Sequence, residues 1–579
     1  MKDLHMCVNF GFAGSRNSVL PQAVCEKVSA LMKEFLVFAG KYNNRTYGFS
    51  GEDIRCNLFT ADIFCTEEIY PIAQAVGGYT SIVTSAYGDE AKELRSDAVI
   101  ALDVKKHNLS YPNIAAEYVV NKSDAVFLLW DGKQNFQEGI LWTVQQFCKQ
   151  KKVPYYLLNT EKLEEVSFSA DSYYVSYTPE NVRNYVAGLY DYEEKVKKEE
   201  PIPMSSLWVK LHDRFIRKYK LKADAVSFVE DQLLSGDTIA ENMKNAKNHA
   251  MLSAYFSHYD QKAIEASSLY RASIYFRSIL PMLTTIFIAI GFYAETVLTF
   301  LLGEHTFLFG MNCWVMLAGI GFLIHALLNR YAGQMAKNPH VERLKDDFVE
   351  ARFIAEYLRV AIHSESYGIQ INNISVKDSL VDKHVAAKLH HIIRQQEPVS
   401  YVQNRDVMNE AARNFEALIV DQKAYHGNCI NRYALITQRL NKLASAFYLA
   451  GFAIVIARGF LQFIVPFVSS GMNLSVAVHG VKIESFIKSF ANMLALVMPA
   501  WASYFSTKLS MNGYAWLRNN SIKMKSGFEV IEAKLHGIRQ QKNNSYQIIS
   551  DVANDIMQLT REDYTGWYLR MDAQGFTRL

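Results

Sequence analysis

The residues best suited to chemistry lie near the start of the chain. CVNFGFAGSRN reads as an apolar strand ending in Gly11, Gly14, Ser15, Arg16 and Asn17, and SVLPQAVCEKVSALMKEFLVFAG behind it has helical spacing. A Gly-Ser turn between strand and helix offers free backbone N–H groups and the positive end of the helix dipole, which suits phosphate. Plain strand–helix connections use the same residue types. A second turn follows: SDAVFLLWDGK is a buried strand, Ala125 to Trp130, that delivers Asp131 and Gly132 at its carboxyl end. EGILWTVQQFCKQKKV then starts a helix and PYYLLNT the next strand. Trp130 and Trp142 could stack on a base, although core packing is the more ordinary use of two tryptophans.

Two further ionisable groups sit in apolar surroundings. Glu295 and Arg458 lie inside long hydrophobic runs, where charged side chains are rare and usually functional. Counted from Arg277 and Lys442, they stand roughly 27 and 24 Å along their helices at about 1.5 Å per residue. Similar depth allows a Glu–Arg pair between the first and third runs, or a polar ring in an oligomeric pore. The ordinary alternative places both at the far interface, with Arg458 reaching for headgroups. His363, His390, His391 and His426 are widely spaced and read as surface or packing residues. The seven cysteines form no C-x-x-C pair, which fits reduced thiols better than a disulfide scaffold or a zinc site. Neither a metal nor a cofactor is expected.

The elements that must position these groups divide into two kinds. Residues 1–160 alternate strand-like and helix-like runs, which predicts a parallel sheet with helices on both faces, in a domain spanning 1–195. Ligands of open α/β sheets sit beyond the carboxyl ends of the strands, so both turns could face one crevice. Further along, four stretches approach the ~20 apolar residues that cross a bilayer: 279–302, 307–328, 443–468 and 489–507. They form two hairpins, the first within 205–440 and the second within 441–579. Arg271, Arg277, Arg330, Lys337, Arg432, Arg439, Lys508 and Arg518 flank the outer ends of the hairpins. The positive-inside rule then places both termini and the middle segment in the cytoplasm of a multi-pass protein of the cell membrane. No signal peptide is read at MKDLHMCVNFGFAG. YRASIYFRSILPML and NRYALITQRLNKLA enter the two hairpins with a similar basic-aromatic pattern, as a diverged repeat would. Leu344, Phe348, Ala351, Ala355, Leu358 and Ile362 alternate four- and three-residue spacing, a seam that serves either packing within the chain or self-association. A net charge of +3 without a long Lys/Arg run argues against a nucleic-acid partner.

GFAGSR, TADIFCTEEIYPIAQAVGG and SDAVFLLWDGK, with Gly139 opening the next helix, resemble the SLOG superfamily over about residues 5–160. Thr60-Ala61-Asp62 stands where that family often has a Gly-Ala-Asp-like segment. The two-hairpin region, with EARFIAEYLRV and VDQKAYHGNCINRYALITQRL, resembles SLATT membrane modules, found attached to or beside SLOG domains in bacterial nucleotide-dependent conflict systems. The resemblance implies a Rossmann-like fold and a nucleotide-derived ligand near Gly14, Ser15, Arg16, Asn17, Asp62, Asp131, Gly132 and Gly139. It also implies a homo-oligomer whose spans open a pore or disturb the bilayer in anti-phage defence. Hydrolytic members resemble one another in a G-G-x-G-T-x-x-E turn whose glutamate does acid–base work. Here Glu138-Gly139-Ile140-Leu141-Trp142-Thr143 keeps one glycine and puts Thr143 where that carboxylate would be, and threonine is no carboxylate base near neutral pH. Binding is therefore expected over catalysis. The alternatives are a membrane-anchored glycosidic-bond hydrolase using Glu117 or Glu138, and a small transporter with substrate at the midplane.

Overall fold

The structure, a computed structural model, describes residues 6–14, 20–41, 54–64, 69–85, 95–102, 111–132, 136–169, 175–190, 250–302, 319–324, 326–327, 330, 339–365, 367–369, 371, 383–394, 401–403, 405–468, 477–478, 481–540 and 545–573. In the first part, strands β1 (Cys7–Gly14), β2 (Arg55–Ala61), β3 (Tyr79–Thr84), β4 (Ala98–Leu102), β5 (Ala125–Trp130), β6 (Tyr155–Asn159), β7 (Val166–Ser169) and β8 (Val175–Ser176) alternate with helices. These are α1 (Gln22–Gly40), α2 (Ile69–Val76), α3 (Tyr111–Lys122), α4 (Ile140–Lys151) and α5 (Pro179–Tyr190). The later part is helical: α6 (Ala250–Leu302), α7 (Pro339–Glu365), α8 (Lys383–Ile393), α9 (Arg405–Val468), α10 (Ile483–Asn512), α11 (Tyr514–Gln540) and α12 (Tyr546–Ala573). One further strand, β9 (Tyr401–Gln403), interrupts it, and β10 (Ala477–Val478) and β11 (Val481–Lys482) form a small antiparallel ribbon between α9 and α10.

The sheet runs β8-β7-β6-β5-β1-β2-β3-β4-β9. Pairings from β6 through to β9 are all parallel, while β7 and β8 join antiparallel. The α/β expectation is met, with one addition: β9 comes from the helical part and pairs beside β4, Ile100 opposite Tyr401 and Leu102 opposite Gln403. The apolar runs of β1 and β5 are buried on both faces, as covered parallel strands require. On one face Phe10, Phe12, Phe127 and Tyr156 pack under α1, α2 and α5. On the other, Ala13, Ala61 and Val126 pack under α3 and α4, and the same core continues into α7, α9, α11 and α12 through Leu358, Phe415, Phe528 and Ile549. Gly11 permits this close stacking: a Cβ there would lie 2.5 Å from Ser123 Oγ and 3.0 Å from Val119 Cγ1.

The seam on α7 packs inside the chain, since Ala351, Ala355, Leu358 and Ile362 are all buried in that core. The side chain of Leu344 lies outside the described residues. Charges occupy the centre of the helical body. Arg352 Nη2 meets Glu356 Oε1 at 2.5 Å, and Arg359 Nη1 donates to Glu356 Oε2 at 2.6 Å and to Gln422 Oε1 of α9 at 3.3 Å.

Four membrane spans were expected. Among the described residues one helix has the length and composition of a span, Arg405–Phe460 of α9, with mean hydropathy 1.7 and 6% of its most apolar window buried. The others fall short for identifiable reasons. The 307–328 stretch lies mostly outside the described residues. The 279–302 stretch contributes the shorter apolar segment Met282–Tyr293 of α6. The 489–507 stretch lies in α10, but Ser489, Asn492, Ser503, Ser506 and Thr507 dilute its hydropathy. The apolar ends of α6 and α9 both pack on α10: Met282 meets Ala500 and Tyr504, and Phe447 stacks on Trp501 at 5.9 Å. α6 begins at Ala250, and 205–249 lie outside the described residues.

Two predictions follow from this packing. Gly11→Ala should lower stability by about 1–3 kcal/mol through overpacking, seen as a lower denaturant midpoint. Burial lowers His363, His391 and His426 to about 4. A histidine depressed on folding contributes stability that is complete above 6.5 and is lost as pH falls toward 4. Asp563, raised by burial to about 6, acts in the opposite sense, losing stability as pH rises from 3.8 through 6. His258 is likewise lowered by burial and Asp551 likewise raised. With four histidines against two aspartates, the melting temperature should fall between pH 6.5 and 4.5, and His391→Gln should make that slope shallower.

Candidate functional site

The chain runs outward from β1 through β2 and β3 to β4, then crosses back over β1 to place β5 on its other side. The strand order therefore reverses between β1 and β5, and ligands of such sheets usually sit in a crevice beyond the carboxyl ends at that point. Gly14 ends β1 opposite Leu129 of β5, and Asp131 and Gly132 follow directly after Trp130. Gly132 has a φ of 75°, the left-handed region that favours glycine, and turns the chain beside Asn159, the last residue of β6. Gly139 is the N-cap of α4, with extended backbone, no side chain capping the helix, and room for a Cβ, which would meet Leu141 N at 4.0 Å. The first N–H groups of α4 thus keep the partial positive charge of the dipole without a side-chain acceptor. Ser15, Arg16 and Asn17, placed in the same turn by the sequence, lie outside the described residues.

Asp62 follows β2 on the far side of β1. Its carboxylate is already held: Thr84 Oγ1 donates to Oδ2 at 2.7 Å, and Tyr111 Oη donates to Oδ1 at 2.5 Å. Burial first, and the adjacent Asp62 charge second, push the Tyr111 phenol well above its ordinary range, so it stays a donor. Asp62 therefore ties the end of β2 to β3 and to the first residue of α3, fixing one wall of the crevice. Sequence reasoning missed Thr84 and Tyr111. A hydroxyl at a strand end and a tyrosine opening a helix are the only signals, and neither is distinctive.

The two tryptophans pack rather than stand open. Phe136 sits edge-on between them, 5.9 Å from Trp130 and 6.2 Å from Trp142, and Lys149 lies over the Trp142 ring. Glu117, one candidate for a catalytic carboxylate, faces away from the crevice. It pairs with Lys151 Nζ at 3.2 Å, at the end of α4 that leads back to the start of β6. It also lines a polar cavity of about 80 Å³ between α3, α4 and α12, opposite Asp551. Glu138 lies in a single 3-10 turn, Phe136–Glu138, and its side chain is outside the described residues. Among the described residues no group of His, Cys, Asp and Glu could hold a metal.

Arg458 is exposed on the apolar end of α9, between exposed Val455 and Phe460. Glu295 lies in α6, its side chain outside the described residues. From the level where Met282 and Phe447 meet α10, the two stand about 20 and about 16 Å further along their helices, within one turn of each other. The chain matches no known protein family, no curated protein and no solved structure.

The arrangement suits a small anion held by backbone N–H groups at the β1–β5 crossover. Gly139→Asp supplies the missing cap, so it should raise stability by a few tenths of a kcal/mol. The same carboxylate should abolish any upward melting shift given by phosphate or nucleotides, because it occupies the N–H groups they need.

Proposed function

We propose that this protein is a membrane effector in which a SLOG-like domain senses a nucleotide-derived signal and SLATT-like helices deliver the response, by opening an oligomeric pore or disrupting the bilayer. Anti-phage defence is the setting this reading favours, with the apolar end of α9 in the membrane and both termini in the cytoplasm. The observation that carries it is α9. This 64-residue helix starts two residues after β9, a strand of the ligand-binding sheet, and ends in the outward-facing apolar segment that contains Arg458. Tyr448, Phe452 and Phe463 are more than half exposed there, a surface that lipid or a second copy would cover. One unbroken helix thus joins the sheet to the apolar region. The uncapped α4 terminus at the β1–β5 crossover supports a phosphate-bearing ligand, and Glu117 held away from the crevice weakens the hydrolase reading.

A switch of this kind requires the ligand to bind two states with different affinity. The test is dye release from vesicles carrying the purified protein, on addition of adenine and guanine mono-, di- and cyclic dinucleotides. Release that depends on one nucleotide, and that falls at least tenfold in Arg458→Gln, is expected. A nucleotide that raises the melting temperature but releases no dye would overturn the reading.

A further inference from the structure

The two strands that bracket the crevice are gripped at their other ends by the helical part. Asp124, just ahead of β5, accepts from Asn9 N of β1 at 2.8 Å and from Arg394 Nη1, directly after α8, at 2.5 Å. Its own N–H donates to Asn9 O at 2.7 Å, and Asn9 Nδ2 donates to Lys122 O at 2.8 Å. Lys122 Nζ in turn meets Glu365 Oε1, the last residue of α7, at 2.9 Å. The Nδ1 of His391 in α8 lies 3.2 Å from both the backbone N and the backbone O of Cys7, the first residue of β1. The Arg394 and Asp124 side chains are only 9% and 13% exposed, so this is a buried charge pair rather than a surface bridge.

Each strand therefore carries the crevice at one end and the helical part at the other. β1 runs from Cys7 to Gly14, and β5 from beside Asp124 to beside Asp131. Both are stiff, being buried along their length and stacked face to face through Phe12 and Phe127 (5.2 Å) and Phe127 and Tyr156 (4.6 Å). Well-packed strands transmit strain instead of absorbing it. Six residues separate Arg394 from Tyr401, where β9 joins the sheet and leads into α9.

We propose that this clamp of Asp124, Arg394, Lys122 and Glu365 couples the crevice to the helical part, so that a change at one end of the β1–β5 pair is felt at the other. Its use as a gate rests on the sensor reading above, but the coupling itself does not. Coupling between two sites is reciprocal, so loosening the clamp must loosen the crevice. Amide hydrogen exchange of the full-length protein in detergent micelles measures this without any ligand. Arg394→Gln should speed exchange several-fold at residues 128–132 and 139–142, at the opposite edge of the sheet, while β3 and α2 keep wild-type rates. Lys534→Gln, which breaks an exposed pair with Asp555 between α11 and α12, should leave the crevice unchanged. A rise confined to residues 6–9, 122–125 and 383–394 would overturn the proposal. Should Arg394→Gln speed exchange everywhere through loss of fold, Glu365→Gln decides by the same criteria, since it breaks the less buried pair with Lys122. A wild-type protein that binds a nucleotide and releases no dye would defeat the sensor reading and leave this coupling standing or falling on exchange alone.

Discussion

The architecture depends on one face of the sheet serving two masters. α3 and α4 cover that face as the helices of any parallel sheet do, but α3 is itself packed against the helical part, with Tyr118 on Tyr546. The result is one apolar core running from Ala13 and Ala61 through Val119 and Val144 to Leu358, Phe415 and Ile549. The opposite face, under α1, α2 and α5, closes on its own core. This asymmetry leaves the sheet able to shed neither partner cheaply, because separating the two parts would expose an apolar surface continuous with the sheet's own core.

Polar groups give that shared core its register. Arg359 is 2% exposed, lies over the Phe256 ring, and has Nε and Nη2 without a protein partner among the described residues. Burying a charge this incompletely satisfied is costly. Arg352, Arg359 and His426 converge on Glu356 from two helices, Gln422 accepts from Arg359, and Asn520 and Asp563 extend the cluster into α11 and α12. Such a cluster tolerates only one alignment of the helices that share it. The amino-edge clamp plays the same part between helices and sheet, where Arg394 and Asp124 satisfy each other.

Much of this was legible in the sequence, and the omissions share a cause. The alternation of apolar strand and helix, the turn at Asp131 and Gly132, and the α7 seam all depend on neighbours within a few residues, so local pattern finds them. Cys7 with His391, Asp124 with Arg394, and Lys122 with Glu365 are separated by hundreds of residues and involve common residue types, so no spacing rule marks them. Asp62 was expected among the ligand contacts, yet its carboxylate is occupied by the hydroxyls of Thr84 and Tyr111, which come from other elements. Glu117 illustrates the reverse error. Its type suited catalysis, while the facing of α3 toward α4 and α12 decides what it touches. Hydropathy overreached in the same manner for 489–507, where serines and Asn492 interrupt an otherwise apolar helix.

β9 is only three residues long, but it comes about three hundred residues after the strand it completes. During synthesis the N-terminal sheet is made first and must stand with the edge of β4 unpaired until the ribosome has passed Gln403. An open parallel edge is a template for unwanted pairing, and so long a separation makes its proper closure slow. By the time β9 arrives, the first apolar helix has already emerged and α9 is next in line. Completion of the sheet is thereby tied to the biogenesis of the helical part, and a chain truncated before residue 401 would leave a domain prone to aggregate at that edge.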